Sequence, residues 1–377
     1  MSEYQYYEFL ALDKPLTATE KADIESLSSR VQITSNQATF VYNYGDFRGN
    51  SQEVLEKCFD IMVYMANWGS RQLMFRFPKS LIDVAALEPY CLEDYITVST
   101  KRNSVILDIN IRDEDISGWI ESGEGCLSGM VSLRDKILQG DYRCLYLAWL
   151  KAATIYFDCE EEENLLEPPV PHNLDNLSGS LSSFVEFFEI DEDLIWVAAS
   201  ASDFQEEEEE LEDLIPELSE QERNDFLVRL LKGESHLCIQ LTHRLQELSG
   251  KGEININSNT NRRTLSQLIG LREEETNQRF KKEGELERQA KIQKLEALAK
   301  KEDKVWEQVF EAIALKQAKP YDQAVASLIN LRDLAQYQGK LEEFQASINK
   351  IQKDYSKRPG LISRLHKAGL LEKYKYL

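Results

Sequence analysis

Four histidines and six cysteines are the scarcest reactive side chains in this 377-residue chain, and neither set is spaced for chemistry. Cys58, Cys91, Cys126, Cys144, Cys159 and Cys238 are scattered, several among apolar neighbours, and no two form a metal or redox pair. They read as reduced, mostly buried thiols that behave as small hydrophobes. His236 and His243 share one helix face but stand about two turns apart, too far to share a metal. His172 follows Pro171 in a loop. The acidic runs Asp158 to Glu163 and Gln205 to Asp213 place neighbouring carboxylates in different directions, so they read as solvated or interacting faces rather than cation sites. There is no phosphate-cradling glycine loop and no nucleophile elbow. No catalytic residue, cofactor or metal is therefore assigned, although a site assembled from distant residues would leave no such signature.

Three weaker constellations remain. Asn43, Asp46, Trp68 and Arg71 fall near expected strand ends and would cluster if neighbouring elements pair, making a candidate recognition surface; turn chemistry and one buried Trp explain them as well. Trp119 and Glu121 lie in a glycine-containing stretch, where Trp119 either packs into a joint or faces a ligand. If the chain is an enzyme with an unrecognised N-terminal site, Glu8, Asp46, Arg71 and Glu121 are the first positions to change. Finally, Arg262, Arg263, Lys281, Lys282, Arg288, Lys291 and Lys294 could contact phosphates, but Glu283, Glu285 and Glu287 interleave with them.

The elements that would position these residues follow from hydrophobic periodicity. Tyr4 to Leu12 suits a strand. Thr17-Ala18-Thr19-Glu20 is a capping box opening a helix to about Ser28. One or two strands occupy Val31 to Tyr44, and a helix runs from Ser51 to Ala66. Arg71 to Phe77 is a strand, Leu81 to Leu87 a short helix, and Tyr95 to Ile111 a hairpin about Lys101-Arg102-Asn103. This order predicts an α+β fold: a small mixed N-terminal sheet with helices on one face, spanning residues 1–115. An acidic helical domain follows at 116–252, with strong helices at Met130 to Gln139 and Tyr142 to Phe157 and further helices at Leu177 to Phe188, at Asp191 to Ala201, through Asn224 to Leu231 after the capping box Ser219-Glu220-Gln221-Glu222, and at His236 to Leu248. Residues 253–318 form a polar linker and a long charged helix, which Lys319-Pro320 ends. Residues 319–377 make a helical hairpin tail: Tyr321 to Gln338 stopped by Gly339, Leu341 to Tyr355, and Leu361 to Leu371.

The tail carries a resemblance. Tyr321-Asp322-Gln323-Ala324-Val325, Leu331-Arg332-Asp333-Leu334-Ala335, Phe344, Lys357-Arg358-Pro359 and Leu365-His366-Lys367-Ala368-Gly369-Leu370 together resemble a helical tail found on many bacterial SWIM zinc-finger proteins, itself similar to a degenerate tetratricopeptide-like hairpin. No Cys or His pair accompanies it, so the resemblance implies an accessory interaction module and not a zinc finger. The opening Tyr4-Gln5-Tyr6-Tyr7-Glu8-Phe9 with Leu16-Thr17 resembles an uncharacterised bacterial family. That resemblance implies partners among SWIM zinc-finger proteins and helicase-type proteins, and it brings no activity.

Charge sharpens the picture. Residues 1–261 hold 20 Lys and Arg against 49 Asp and Glu, whereas residues 262–377 hold 24 against 17. The acidic body repels nucleic acid within a Debye length of about 8–10 Å. No apolar run reaches the length of a transmembrane helix, and Met1-Ser2-Glu3-Tyr4 lacks the pattern of a signal peptide, so a cytoplasmic location is expected with no membrane contact. These features point to an interaction or adaptor protein within a multiprotein complex. A nucleic-acid-associated factor acting through the basic C-terminal helices is the alternative, with an enzyme bearing an unrecognised active site as the third.

Overall fold

Aromatic, β-branched and methionine-rich segments build a sheet of seven strands in the computed structural model. They are β1 (Gln5–Leu10), β2 (Gln32–Ile33), β3 (Gln37–Tyr42), β4 (Ile61–Ala66), β5 (Ser70–Pro78), β6 (Ile96–Thr100) and β7 (Ser104–Arg112). Their order is β2-β3-β1-β4-β5-β7-β6. The structure describes residues 4–113, 122–160, 165–202, 211–249 and 262–371. Trp119, Glu121, residues 161–163 and 205–210 of the two acidic runs, and the Asn-rich stretch as far as Asn261 lie outside the described residues.

The α+β class is as expected, with two corrections to the sheet. Every pairing is antiparallel, so the sheet is not mixed. The helix expected from Ser51 to Ala66 ends at Cys58, and Ile61–Ala66 is the central strand β4. This segment is apolar on both faces because β1 and β5 flank it and both sides are covered. A strand buried on both faces loses the alternation that reveals it, and a short apolar run then reads equally well as helix.

Helices cover both faces of the sheet rather than one. On one side lie α1 (Ala18–Leu27), opened by the Thr17 and Glu20 capping box, and α2 (Ser51–Cys58), capped by Asn50. Ile24, Val54 and Leu55 from these helices join Phe9, Phe40, Met62, Met74 and Ile106 in one core. The short α3 (Val84–Leu87) precedes the β6–β7 hairpin. The other face, bearing Tyr6, Val63, Leu73, Phe75 and Leu107, belongs to a larger core that takes in the helices of the middle region. Those are α4 (Leu133–Leu138), α5 (Arg143–Glu160), α6 (Gly179–Phe188) and α7 (Glu192–Ala199). Trp149 and Tyr146 of α5 and Phe184 and Phe188 of α6 are among its largest fully buried side chains. Each such side chain stabilises the fold by about 1.5–3 kcal/mol relative to exposure.

Two further helices, α8 (Glu220–Leu231) and α9 (Leu237–Leu248), pack together. The long α10 (Leu265–Ala299) follows. Its first residues, Leu265 and Leu268, are fully buried in the larger core. The chain divides into two compact units at this helix, Met1–Thr276 and Asn277–Leu377.

The second unit has its own core. It is built from α11 (Glu302–Ala314), α12 (Ala318–Gln338), α13 (Leu341–Asp354) and α14 (Pro359–Lys367), with Val309, Ile313, Leu328, Ile348 and Leu365 at its centre. Lys319-Pro320 does not end a helix; it lies in the first turn of α12. Proline is tolerated there because that N–H has no intrahelical acceptor. The preceding helical series stops instead at Leu315 to Gln317, with a further break at Lys300-Lys301. Gly339 stops α12 in the left-handed conformation (φ 72°), and Pro359 opens α14, both at the expected breaks.

Candidate functional site

Pairing brings four of the expected recognition residues, Asn43, Asp46, Trp68 and Arg71, to one end of the sheet. Gln5 at the start of β1 sits opposite both Tyr42, at the end of β3, and Ala66, at the end of β4. The loop after β3 therefore lies beside the β4–β5 turn. Asp46 accepts a hydrogen bond from Gln5 Nε2 at 3.3 Å, and Gly45 O accepts another at 3.0 Å. Asn43 and Asp46 are exposed. Trp68 occupies the tip of the β4–β5 turn and is 40% exposed, so it is not the buried Trp of the structural explanation. Gly69 supplies the positive φ of 90° that this tight turn requires.

Arg71 belongs to the opposite face of the same end. It is buried, and its Nη1 donates to Ala66 O at 3.2 Å and Ser70 O at 3.4 Å. Its guanidinium lies 6.0 Å from the centre of the Phe187 ring and 3.8 Å from Glu189. Burial pushes the Arg71 pKa down, and the Glu189 carboxylate acts against that shift. The recognition surface thus splits: Asn43 and Asp46 on one side of the sheet, Arg71 reaching into α6 on the other. Glu8 shares the Arg71 face but accepts from Tyr6 Oη at 2.8 Å and Gln37 Nε2 at 2.6 Å. Glu8, Asp46 and Arg71 do not converge on one cavity.

Glu189 leads to the feature that sequence reasoning missed. It lines an open groove of about 910 Å³ formed by the approach to α6, by α6 itself and by α7. Leu177, Val185, Ile190 and Ile195 supply apolar walls, and the Trp196 indole stands at the edge, 60% exposed. Asp175, Glu186, Glu189 and Glu192 line the same groove, and none of the described residues lining it is basic. The geometry has local causes. Glu189 ends α6 in the left-handed conformation (φ 50°), which turns the chain sharply into α7. Asp191 caps α7 by accepting from Asp193 N and Leu194 N, and it is anchored by an ion pair with Arg272. Leu194, Ile195, Val197 and Ala198 bury the inner side of α7. Trp196 points to the other side, and a Trp opposite the apolar stripe was the available signal.

Two ionic clusters hold this unit together. Asp60, 1% exposed, accepts from Leu12 N at 2.7 Å and Asp13 N at 2.9 Å and pairs with Arg76. Arg134 makes two parallel bonds of 2.9 Å to Asp13, and His236 Nε2 lies 3.3 Å from the same carboxylate. Burial alone would raise the Asp60 carboxyl, but the backbone donors and the Arg76 and Arg134 guanidiniums outweigh it and hold the pKa below its usual value. In the second cluster Glu167, 2% exposed, accepts from Tyr146 Oη, from Arg263 Nε at 2.7 Å and from Arg263 Nη2 at 2.6 Å. Burial, reinforced by Glu167, pushes the Tyr146 hydroxyl well above its usual pKa, with Arg263 opposing. Arg263 also donates to Val197 O at 3.1 Å, and Arg262 Nε donates to Glu167 O at 2.7 Å.

Within the basic set, Arg263 is half-buried and committed to internal acceptors, whereas Arg262 is exposed and spends only its Nε on Glu167 O. Lys281, Lys282, Arg288, Lys291 and Lys294 are exposed on α10. Cys58 and Cys144 are buried, Cys91 and Cys126 are half-buried, and Cys238 is exposed; these five are free thiols. Among the described residues no group of three or more His, Cys, Asp or Glu side chains is arranged to hold a metal ion. No helix among them is long and apolar enough to cross a membrane.

Comparison settles no family. Family models, curated proteins and solved structures yield no match to this chain. The groove and the clusters therefore carry the functional reading by themselves.

Proposed function

We propose that this chain is an interaction or adaptor protein of the cytoplasm that works as a component of a multiprotein complex. The observation that carries the reading is the groove at α6 and α7, where an exposed Trp and apolar walls stand beside carboxylates. Exposed Trp at the edge of a concave apolar surface is the composition of a binding hot spot, because the indole gives a large contact area with little entropy to lose. The helical second unit fits the same role, since paired helices present grooves to partner segments. Its resemblance to the tail of SWIM zinc-finger proteins makes those proteins, and helicase-type proteins, the partners to look for first.

The test is affinity purification of the tagged full chain from its native host, with and without nuclease, read by quantitative mass spectrometry. A specific partner retained after nuclease is the expected result. A protein recovered alone under both conditions refutes the reading.

A second reading has one observation in its favour. Lys281, Lys282, Arg288, Lys291 and Lys294 all stand exposed on one helix, available to phosphates. Partners lost on nuclease treatment, together with a gel shift at low salt that the five substitutions abolish, would establish a nucleic-acid-associated factor.

A further inference from the structure

We infer that the groove at α6 and α7 docks a cationic amphipathic helix of a partner protein, its apolar residues against Trp196 and its Lys and Arg side chains against the flanking carboxylates. The inference rests on the interaction reading and names the chemistry of the partner.

Charge complementarity selects this occupant. Asp175, Glu186 and Glu192 are exposed, and none makes an ion pair with a described residue. Among the described residues the Glu189 carboxylate has one ion pair, the 3.8 Å contact with Arg71, while Lys151 Nζ donates to its backbone carbonyl at 3.3 Å. An anionic partner would bring its own charge against four carboxylates, and a purely apolar one would desolvate them without recompense. The anionic surfaces of nucleic acid and of lipid headgroups are repelled for the same reason. A cation alone gains nothing from Ile190, Ile195 and Trp196. Only a segment with apolar residues flanked by Lys or Arg satisfies both parts of the groove.

The shape points to a helix. The groove lies along α6 and α7, and a third helix placed over a pair of helices presents residues at i, i+3, i+4 and i+7 to the trough between them. Trp196 stands at one wall, where it can cover an inserted Leu while its exposed edge meets a Lys or Arg. The first unit carries 23 Lys and Arg against 52 Asp and Glu, a net charge of −29, so the whole body steers such a segment inward.

The decisive experiment uses the full chain and a labelled 18-residue helix with Leu at i, i+3, i+4 and i+7 and Lys elsewhere. A scrambled peptide of the same composition is the control for charge alone. Binding is read by fluorescence anisotropy at physiological salt. The ordered peptide is expected to bind at least tenfold more tightly than the scrambled one. Trp196→Ala, which leaves the charge unchanged, should weaken it about tenfold, and Glu186→Lys with Glu192→Lys by more. Glu25→Lys with Glu93→Lys, an equal charge change outside the groove, should alter it less than threefold. Equal binding of the two peptides, an unaffected Trp196→Ala protein, or an equal loss from the distant pair overturns the inference. So does sedimentation showing that Trp196→Ala abolishes self-association, because the occupant is then a second copy. If the inference fails while a nuclease-resistant partner is still recovered by affinity purification, the interaction reading stands and the groove is not its site.

Discussion

A carboxyl facing the helix α2 side of the sheet shows how far a single residue's surroundings reach. Asp108 of β7 lies opposite Met74 of β5 and accepts one hydrogen bond, from Gln72 Nε2 at 2.8 Å. Burial pushes its pKa up, and the Gln72 bond acts the other way. Its ionised form is therefore disfavoured in the fold relative to the unfolded chain, where aspartate titrates near about 3.9. The stabilisation of the neutral form is complete below that value and is lost as pH rises through the raised folded value. Asp108→Asn stays neutral and keeps the acceptor for Gln72. The variant should exceed the parent in stability by on the order of 1 kcal/mol at pH 7, and the difference should vanish below about pH 4. Urea denaturation at the two pH values checks this; a gain that persists at low pH would refute it. Legibility at this scale was uneven. Capping residues Thr17, Glu20, Ser219 and Glu222 were readable because a cap is a local event. Arg263 was not, because its partner Glu167 is 96 residues away in sequence.

Elements were legible where one face is wet. The helices α1, α8, α9 and α13 keep a solvated side, and their periodicity marks them. Strand β4 keeps none, and it was lost to a helix. The groove escaped because it belongs to no element: α6 and α7 were both readable, but the αL turn at Glu189 that redirects the chain between them is a rare conformation for a non-glycine residue. Close approach of backbone to side chain is equally invisible in sequence. A Cβ at Gly123 would lie 2.3 Å from Tyr6 Cγ and 2.9 Å from Tyr6 Cβ. Tyr6 is 2% exposed and fixed in the centre of the larger core, so its inner atoms have no room to retreat. Gly123→Ala should destabilise the protein by about 2–3 kcal/mol through overpacking. Gly284→Ala, on an open face of α10 with nothing within 4 Å, should have the opposite sign, a gain of about 0.5–1 kcal/mol. Chemical denaturation of the two variants side by side reads both signs.

At the scale of the whole molecule, two units with separate cores carry opposite charge. The second unit holds 21 Lys and Arg against 14 Asp and Glu, a net charge of +7, beside the −29 of the first. Within the second unit Arg358 joins helix ends that are distant in sequence. Its Nη1 donates to Ile313 O at 2.6 Å, near the C-terminus of α11, and its guanidinium lies 4.6 Å from the Tyr355 ring. This gives a physical role to the Lys357-Arg358-Pro359 segment of the tail. Arg358→Ala should cost about 1.5–3 kcal/mol. Hydrogen exchange should show the loss in the amides of α12 to α14, while those of β4 and β5 keep their protection. Equal loss in both places would mean that the two cores open as one.

The burial of Leu265 and Leu268 in the same core that holds Tyr6 of the first strand sets a timetable for synthesis. Leu265 N donates to Leu165 O at 2.8 Å, and Glu167 N to Arg263 O at 2.9 Å, so the last piece of the first unit is clasped to its middle. A ribosome adding about 5–20 residues per second needs roughly 13–52 s to pass from Tyr6 to Leu268. Throughout that interval the nascent sheet lacks the residues that close its larger core. The first unit completes itself only when α10 has begun to emerge, so its assembly waits on synthesis as far as Leu268.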